Sequence, residues 1–200
     1  MIAIIDYGVG NLFSLEASLA KIGAKSVVTN DVDTISSATH IVLPGVGAFG
    51  DAMKLLKQSG MDEVLLDNVG KKPILGICLG MQLLFDKSYE FGETAGLGII
   101  SGEIKKIDCD LKIPHMGWNK LEHTNSTPIL SDIGDSKYVY FVHSFYAQTE
   151  PKYITSVAEY GLQITASVQK DSVFGCQFHP EKSGDVGLEI LKNFYEYKGE

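Results

Sequence analysis

The chain contains no arginine. All 17 basic residues are lysines, set against 25 acidic residues, for a net charge of −8 over 200 residues. Lysine offers a compact point charge, whereas phosphates and base edges are best gripped by arginine's planar fork. The composition therefore argues against nucleic acid as a partner and against demanding phosphate-ester chemistry within this chain. No apolar run reaches the roughly 18 to 20 residues of a membrane span. Cysteine is scarce as well, with three residues at positions 78, 109 and 176. An odd, widely spaced set suits neither a disulfide scaffold nor a paired zinc site, so neither metal nor cofactor is expected. The opening Met1-Ile2-Ala3-Ile4-Ile5-Asp6 lacks the basic start and cleavage site of a signal peptide and reads as an immediate strand. The expectation is a cytoplasmic protein with reduced thiols.

What is present suits a globular core, with 44% hydrophobic and 21% charged residues. No repeat, low-complexity stretch or linker divides the chain, so residues 1–200 are expected to form a single domain. In the first half, strand signals at Ile2–Tyr7, Lys25–Thr29, His40–Leu43 and Pro73–Ile77 alternate with helical patterns at Asn11–Ile22, Phe49–Lys57 and from Leu79. Such alternation predicts a mostly parallel sheet covered on both faces. From Ile99 the pattern changes to short strands at Ile104–Ile107, Lys120–Glu122, Tyr138–Val142, Tyr153–Tyr160 and Ile164–Gln169. Turn clusters at Thr124-Asn125-Ser126 and Ile133-Gly134-Asp135 separate them. Val173–Phe178 reads as a last strand and Val186–Tyr197 as a closing helix. The predicted fold is three-layer α/β, flavodoxin-like, with additional antiparallel strands.

One segment stands out chemically. In Gly76-Ile77-Cys78-Leu79-Gly80-Met81-Gln82 a buried strand passes through Gly-x-Cys-x-Gly straight into a helix. This is a thiol version of the nucleophile elbow, whose glycines permit a tight strand-to-helix turn. It sets Cys78 at a helix head, where free N–H groups and the dipole favour thiolate. A cysteine is commonly just a small buried hydrophobe, and Cys109 and Cys176, lacking such a setting, read that way. A thiolate needs a base and the base an orienter. His179-Pro180-Glu181 supplies both, since residues i and i+2 of an extended segment share a side. A zinc-deaminase reading of His-x-Glu fails for want of a downstream Pro-Cys-x-x-Cys. The third motif, Pro44-Gly45-Val46-Gly47-Ala48-Phe49-Gly50, completes a literal Gly-x-Gly-x-x-Gly. A dinucleotide site would want an acidic residue at the end of the next strand, which ends instead at Cys78. If the strands ending at Pro44 and Ile77 are neighbours, the Val46 and Leu79 amides can face one tetrahedral centre as an oxyanion hole. His40 and His123 read as structural or exposed, and His115 and His143, in aromatic-rich segments, as packing or recognition.

Together, Gly76-Ile77-Cys78-Leu79-Gly80-Met81-Gln82, Pro44-Gly45-Val46-Gly47 and Gln177-Phe178-His179-Pro180-Glu181-Lys182-Ser183 resemble the class I, or triad, glutamine amidotransferases. The resemblance narrows with Asp6-Tyr7-Gly8, Gly10-Asn11, Pro114-His115-Met116-Gly117-Trp118-Asn119 and Tyr140-Phe141-Val142-His143-Ser144. These resemble the branch acting as glutaminase in imidazole glycerol phosphate synthesis, in histidine biosynthesis. The matches run from Asp6 to Ser183, with no departure at a catalytic position. The resemblance implies Cys78 as nucleophile on glutamine, His179 as base and proton donor, and Glu181 as its orienter. Leu79 and Val46 would hold the oxyanion, and Gly47, Gln82, Glu90, His143 and Ser144 would bind the substrate. It further implies a heterodimer with a (β/α)8-barrel cyclase that receives the ammonia through a tunnel. Asn11, Met116, Trp118 and Lys182 match positions near that interface, although a sole tryptophan is commonly core. Two other readings remain: a paralogue supplying ammonia to amidate a surface sugar, and a binding module that kept the fold without catalysis, against which the intact trio argues.

Overall fold

Strand β1 (Ile2–Ile5) has all four residues buried, with Ile2 and Ile4 facing one core and Ala3 and Ile5 the other. A strand apolar on both sides must lie inside a covered sheet. Around it the chain runs α1 (Leu12–Lys21), β2 (Ser26–Thr29), α2 (Val32–Ser37), β3 (His40–Leu43), α3 (Phe49–Gln58), α4 (Met61–Asn68), β4 (Ile74–Ile77) and α5 (Leu79–Leu83). The second half follows as β5 (Phe85–Ser88), β6 (Thr94–Ala95), β7 (Ile100–Lys106), β8 (His115–Lys120), β9 (Glu122–His123), β10 (Tyr138–His143) and β11 (Phe145–Thr149). It closes with β12 (Ile154–Glu159), β13 (Gln163–Lys170), β14 (Val173–Cys176) and α6 (Gly184–Glu196). The structure is a computed structural model that describes residues 1–134 and 137–199; Asp135 of the expected turn cluster lies outside them.

The main sheet has the order β2-β1-β3-β4-β14-β13-β12-β9. Pairing is parallel from β2 through β14 and antiparallel from β13 onward. The first five strands reproduce the doubly wound order of flavodoxin-like sheets. Two smaller sheets are added, β11-β7-β5-β6 and the ribbon β10-β8. Leu15 and Leu19 of α1 and Ile190, Leu191 and Phe194 of α6 cover one face of the main sheet. Phe49, Met53 and Leu56 of α3 cover the other. No helix among the described residues is long and apolar enough to cross a membrane.

The first-half strands and helices lie where the sequence pattern placed them, give or take two residues, and α6 also matches within two residues. Helices α2 and α4 were not foreseen. At six and eight residues they are too short for a clear period, and α2 is started by its cap, Asp31 accepting from the Thr34 amide at 2.8 Å. Strand β8 was also missed: its apolar residues Met116 and Trp118 point outward while His115, Gly117 and Asn119 face in, so the usual apolar-inside alternation is inverted. The strand expected at Lys120–Glu122 is in fact the junction of β8 and β9.

Parallel pairing of β3 with β4 brings the Pro44 turn against the start of α5. The approach is so close that a Cβ on Gly80 would overlap the Leu43 carbonyl oxygen, and one on Gly76 would lie 2.7 Å from Gly80 O and Met81 Cα. Gly80→Ala should therefore destabilise the protein by about 3 kcal/mol. That is a drop of about 6–12 °C in Tm for a chain of this size, measurable by thermal unfolding. An unchanged Tm would show that the turn has room to spare.

Candidate active site

Loops leaving the carboxyl ends of β3, β4 and β14 converge, as ligand sites do in open α/β sheets. The β4–α5 turn holds Cys78 at φ +55 and ψ −113, a conformation seldom adopted outside glycine. It is fixed by the Cys78 amide, which donates to Cys176 O at 2.7 Å, and by the tight glycines on either side. Cys78 is thereby thrust forward at the edge of a cavity of about 290 Å³, near the small end of ligand-site volumes. Helix α5 has only five residues, so its dipole is weaker than the sequence pattern promised.

His179 faces the same cavity from the far side. Its Nδ1 pairs with Glu181 Oε1 at 2.8 Å, both side chains being 3% exposed. Burial opposes charge on the imidazole, yet Cys78 and Glu181 outweigh it and raise the pKa to about 9. Nε2 makes no hydrogen bond of full geometry. Cys78 acts on the ring through its sulfur facing Nε2, and Glu181 through the bond to Nδ1. The ring is set to be an imidazolium at neutral pH.

Of the residues expected at the site, Val46, Gly47, Leu79, Gln82, Glu90 and His143 all border this cavity, as does Ser144. Val46 is half-exposed, and Gly47 has φ +97 with open space where a Cβ would stand. Glu181 stands behind His179 and shares a small crevice with Asn11 and Val46. Two expected binding residues have other commitments. Glu90 Oε2 accepts from the Phe49 amide at 2.7 Å, capping α3, whose N-cap position is Ala48. Gln82 Nε2 donates to Phe145 O at 3.0 Å and to Gln177 Oε1 at 2.9 Å, leaving only Oε1 for a ligand.

His143 and His115 are buried and linked. His143 Nδ1 donates to Phe145 O at 2.8 Å, so its Nε2 accepts from His115 Nδ1 at 3.0 Å. Burial pushes His143 down to about 3 and His115 down to about 4, which keeps both neutral. His115 also lies flat between Phe141 and Tyr160. His40, buried, bonds Tyr197 O at 2.7 Å. Cys176 is fully buried and its thiol is pushed up by burial. Trp118 is not core: it is 55% exposed, edge-on to Tyr140, over whose ring Lys182 Nζ also lies at 5.8 Å. Met116, on the same ribbon, is exposed too. Sequence reasoning passed over Phe145, Pro114 and Val142 as cavity walls and missed Gln177, a wholly buried polar side chain beside Cys78. The one signal for Gln177 was a glutamine at the end of an otherwise apolar strand. Among the described residues no group of three or more His, Cys, Asp or Glu is placed to hold a metal.

The model of the glutamine amidotransferase class-I family matches residues 3–197. The chain belongs to that family. Among its relatives is the imidazole glycerol phosphate synthase subunit HisH of Caldanaerobacter subterraneus, 51% identical over 198 residues, covering 98% of each chain. The subunit of the same name from Bacillus cereus is 49% identical over 196 residues, covering 97% of this chain and 93% of that one. Solved structures share the fold at low identity. A glutamine amidotransferase superposes with a TM-score of 0.74 at 17% identity, covering 97% of this chain and 99% of the other. PurLQS from Thermotoga maritima gives 0.72 at 17%, covering 96% of each. The expected fold is thus met.

A raised His179 pKa links protonation to folding. Between the free imidazole value of 6.5 and about 9, the folded state holds a proton that the unfolded chain releases. Its contribution is full below 6.5 and is lost as pH rises through about 9. Thermal stability should decline across that window, and Glu181→Gln should flatten the decline. Parallel pH–Tm curves for the two proteins would rule out this coupling.

Proposed function

We propose that the chain is the glutaminase subunit of an imidazole glycerol phosphate synthase. The carrying observation is Cys78 on its strained turn, sharing one small cavity with the buried His179–Glu181 pair. Near-full-length identity of about half to HisH subunits supports the histidine-pathway assignment. In this reading the Cys78 thiolate attacks the side-chain amide carbon of glutamine. The C–N bond breaks as the His179 imidazolium passes its proton to the leaving nitrogen, so ammonia departs and a glutamyl thioester remains. Water then attacks the thioester while His179 takes its proton. Glutamate leaves, and the thiolate–imidazolium pair is restored. Glu181 holds the ring and stabilises its charge. The Val46 and Leu79 amides serve the oxyanion of both steps, and Gly47, Gln82, Glu90, His143 and Ser144 hold the substrate.

Ammonia in neutral water becomes ammonium, which is not a nucleophile, so the product must pass sheltered to a partner. The partner in this reading is a (β/α)8-barrel cyclase docked over Asn11, Met116, Trp118 and Lys182, where the exposed Trp118 and Met116 supply anchor contacts. The cyclase binds the phosphorylated acceptor, which accords with the lack of arginine here. Three free thiols fit a reducing, cytoplasmic setting, and a main sheet built from strands of both halves of the chain fits one glutaminase domain over residues 1–200.

Cys78→Ala should abolish glutamine-dependent synthesis by the assembled enzyme, a loss on the order of 10⁶-fold. It should retain synthesis from ammonium salts at high pH, where free ammonia enters the cyclase directly. Glutamine-driven product at a near-native rate would overturn the mechanism, and loss of both reactions would reassign Cys78 to folding. Glu181→Gln should cost less than Cys78→Ala, since the amide keeps the shape but not the charge.

The half-exposed Val46 and unhindered Gly47 allow the peptide between them to turn. The isolated chain should therefore be a poor glutaminase, accelerated about 10²- to 10³-fold by cyclase with bound acceptor as an oxyanion donor is completed. Equal steady-state rates with and without partner and acceptor would remove the basis for this switch.

A further inference from the structure

Amide groups next to Cys78 form a chain whose polarity can be read from one fixed end. Phe145 O is a backbone carbonyl and only accepts. Gln82 must therefore turn its nitrogen toward it, as the 3.0 Å contact shows. The same nitrogen has a second hydrogen, which goes to Gln177 Oε1 at 2.9 Å. With its oxygen so engaged, Gln177 can present only its NH2 group in the other direction. That group meets Cys78 Sγ at 3.9 Å. Gln177 has no solvent exposure, so no water competes for its amide, and Gln82 is buried apart from its edge on the cavity. A single backbone carbonyl thus dictates that a donor, not an acceptor, faces the sulfur.

We propose that Gln177 is a further catalytic residue, an N–H donor that stabilises the Cys78 thiolate, and that Gln82 is the positioning residue that aims it. The inference rests on Cys78 being the nucleophile of the proposed glutaminase. A hydrogen bond to an ionised partner in a dry site is stronger than one between neutral groups. His179 supplies the counter-charge, but its Nε2 has no formed bond to the sulfur. Gln177 Nε2 lies 3.9 Å from it, within hydrogen-bond reach of a sulfur acceptor. The sulfur also lies 4.0 Å from Val142 O, a contact that suits the thiol and repels the thiolate. Other titratable groups bearing on the thiolate are Tyr7, whose hydroxyl is held neutral by burial and by Cys78 and donates to Pro44 O, and His143, kept neutral by burial. Neither competes with Gln177 for the sulfur. This also explains why a polar side chain is tolerated in the apolar run that ends β14: its two polar ends are both used.

The test is the rate of iodoacetamide alkylation of Cys78 in the full chain at a fixed neutral pH, followed by mass of the labelled peptide. Glutamine kcat and KM of the assembled enzyme are measured beside it. Gln177→Met keeps length and volume and removes the donor. It should slow alkylation about 10-fold and lower kcat with KM little changed, since Gln177 is fully buried behind the residues that line the cavity. Gln82→Met never touches the sulfur but frees the Gln177 amide to turn, and should slow alkylation by a smaller factor. It also covers the case in which Gln177→Met does not fold. Alkylation at the wild-type rate in whichever of the two variants folds would overturn the proposal, as would a Gln177→Met enzyme altered in KM alone. The alkylation arm reads the contact at sulfur whether or not glutamine is the substrate, so its outcome separates this inference from the glutaminase reading.

Discussion

No side chain fits between the end of β3 and the first turn of α5. Everything at the site descends from that contact, in which Gly80 lies directly against the Leu43 carbonyl and Gly76 against the backbone of Gly80 and Met81. Because the turn cannot relax outward, Cys78 takes up the bend and accepts a backbone conformation that costs about 1–3 kcal/mol. The same proximity brings the Pro44 turn, with Val46 and Gly47, to the rim of the cavity that Cys78 enters. Parallel pairing of β14 with β4 then adds the segment bearing His179 and Glu181 on the other side. Three loops meet because three neighbouring strands end at one edge.

Charge at the site follows from burial as much as from composition. His179 and His143 border one cavity, yet one is raised to about 9 and the other lowered to about 3. The difference is partnership: His179 has a carboxylate on one nitrogen and the Cys78 sulfur facing the other, whereas His143 has a carbonyl and a second neutral imidazole. Two identical side chains are thereby held in opposite protonation states within one site, the charged one able to give a proton and the neutral one to shape a wall.

The sequence was most legible where a constraint is local. Glycines two residues either side of Cys78 announce a tight turn, and His179-Pro180-Glu181 announces a same-side pair, because both rest on backbone geometry within a few residues. The doubly wound half was legible because its strands are apolar on both faces and its longer helices span whole turns. Gln177 and the second commitment of Gln82 were not, since each depends on a partner 63 to 99 residues away in sequence. Ribbon strand β8 escaped for a different reason: its tryptophan and methionine face outward and its polar positions inward, the reverse of the pattern that marks a half-buried strand. The exposure of Trp118 likewise runs against the common fate of a lone tryptophan, and only the ribbon's position outside the main sheet explains it.

That ribbon pairs Trp118 with Tyr140 and His115 with His143, so an outer aromatic rung and a buried imidazole rung are carried by the same two strands. A slip of one residue in its register would turn His115 outward and Met116 inward, stranding a buried imidazole without its acceptor while hiding an exposed thioether. The outer surface and the inner wall can therefore be misassembled only together. A chain with a faulty ribbon loses both at once, and the half-formed species, with one face correct and the other scrambled, has no stable register to occupy.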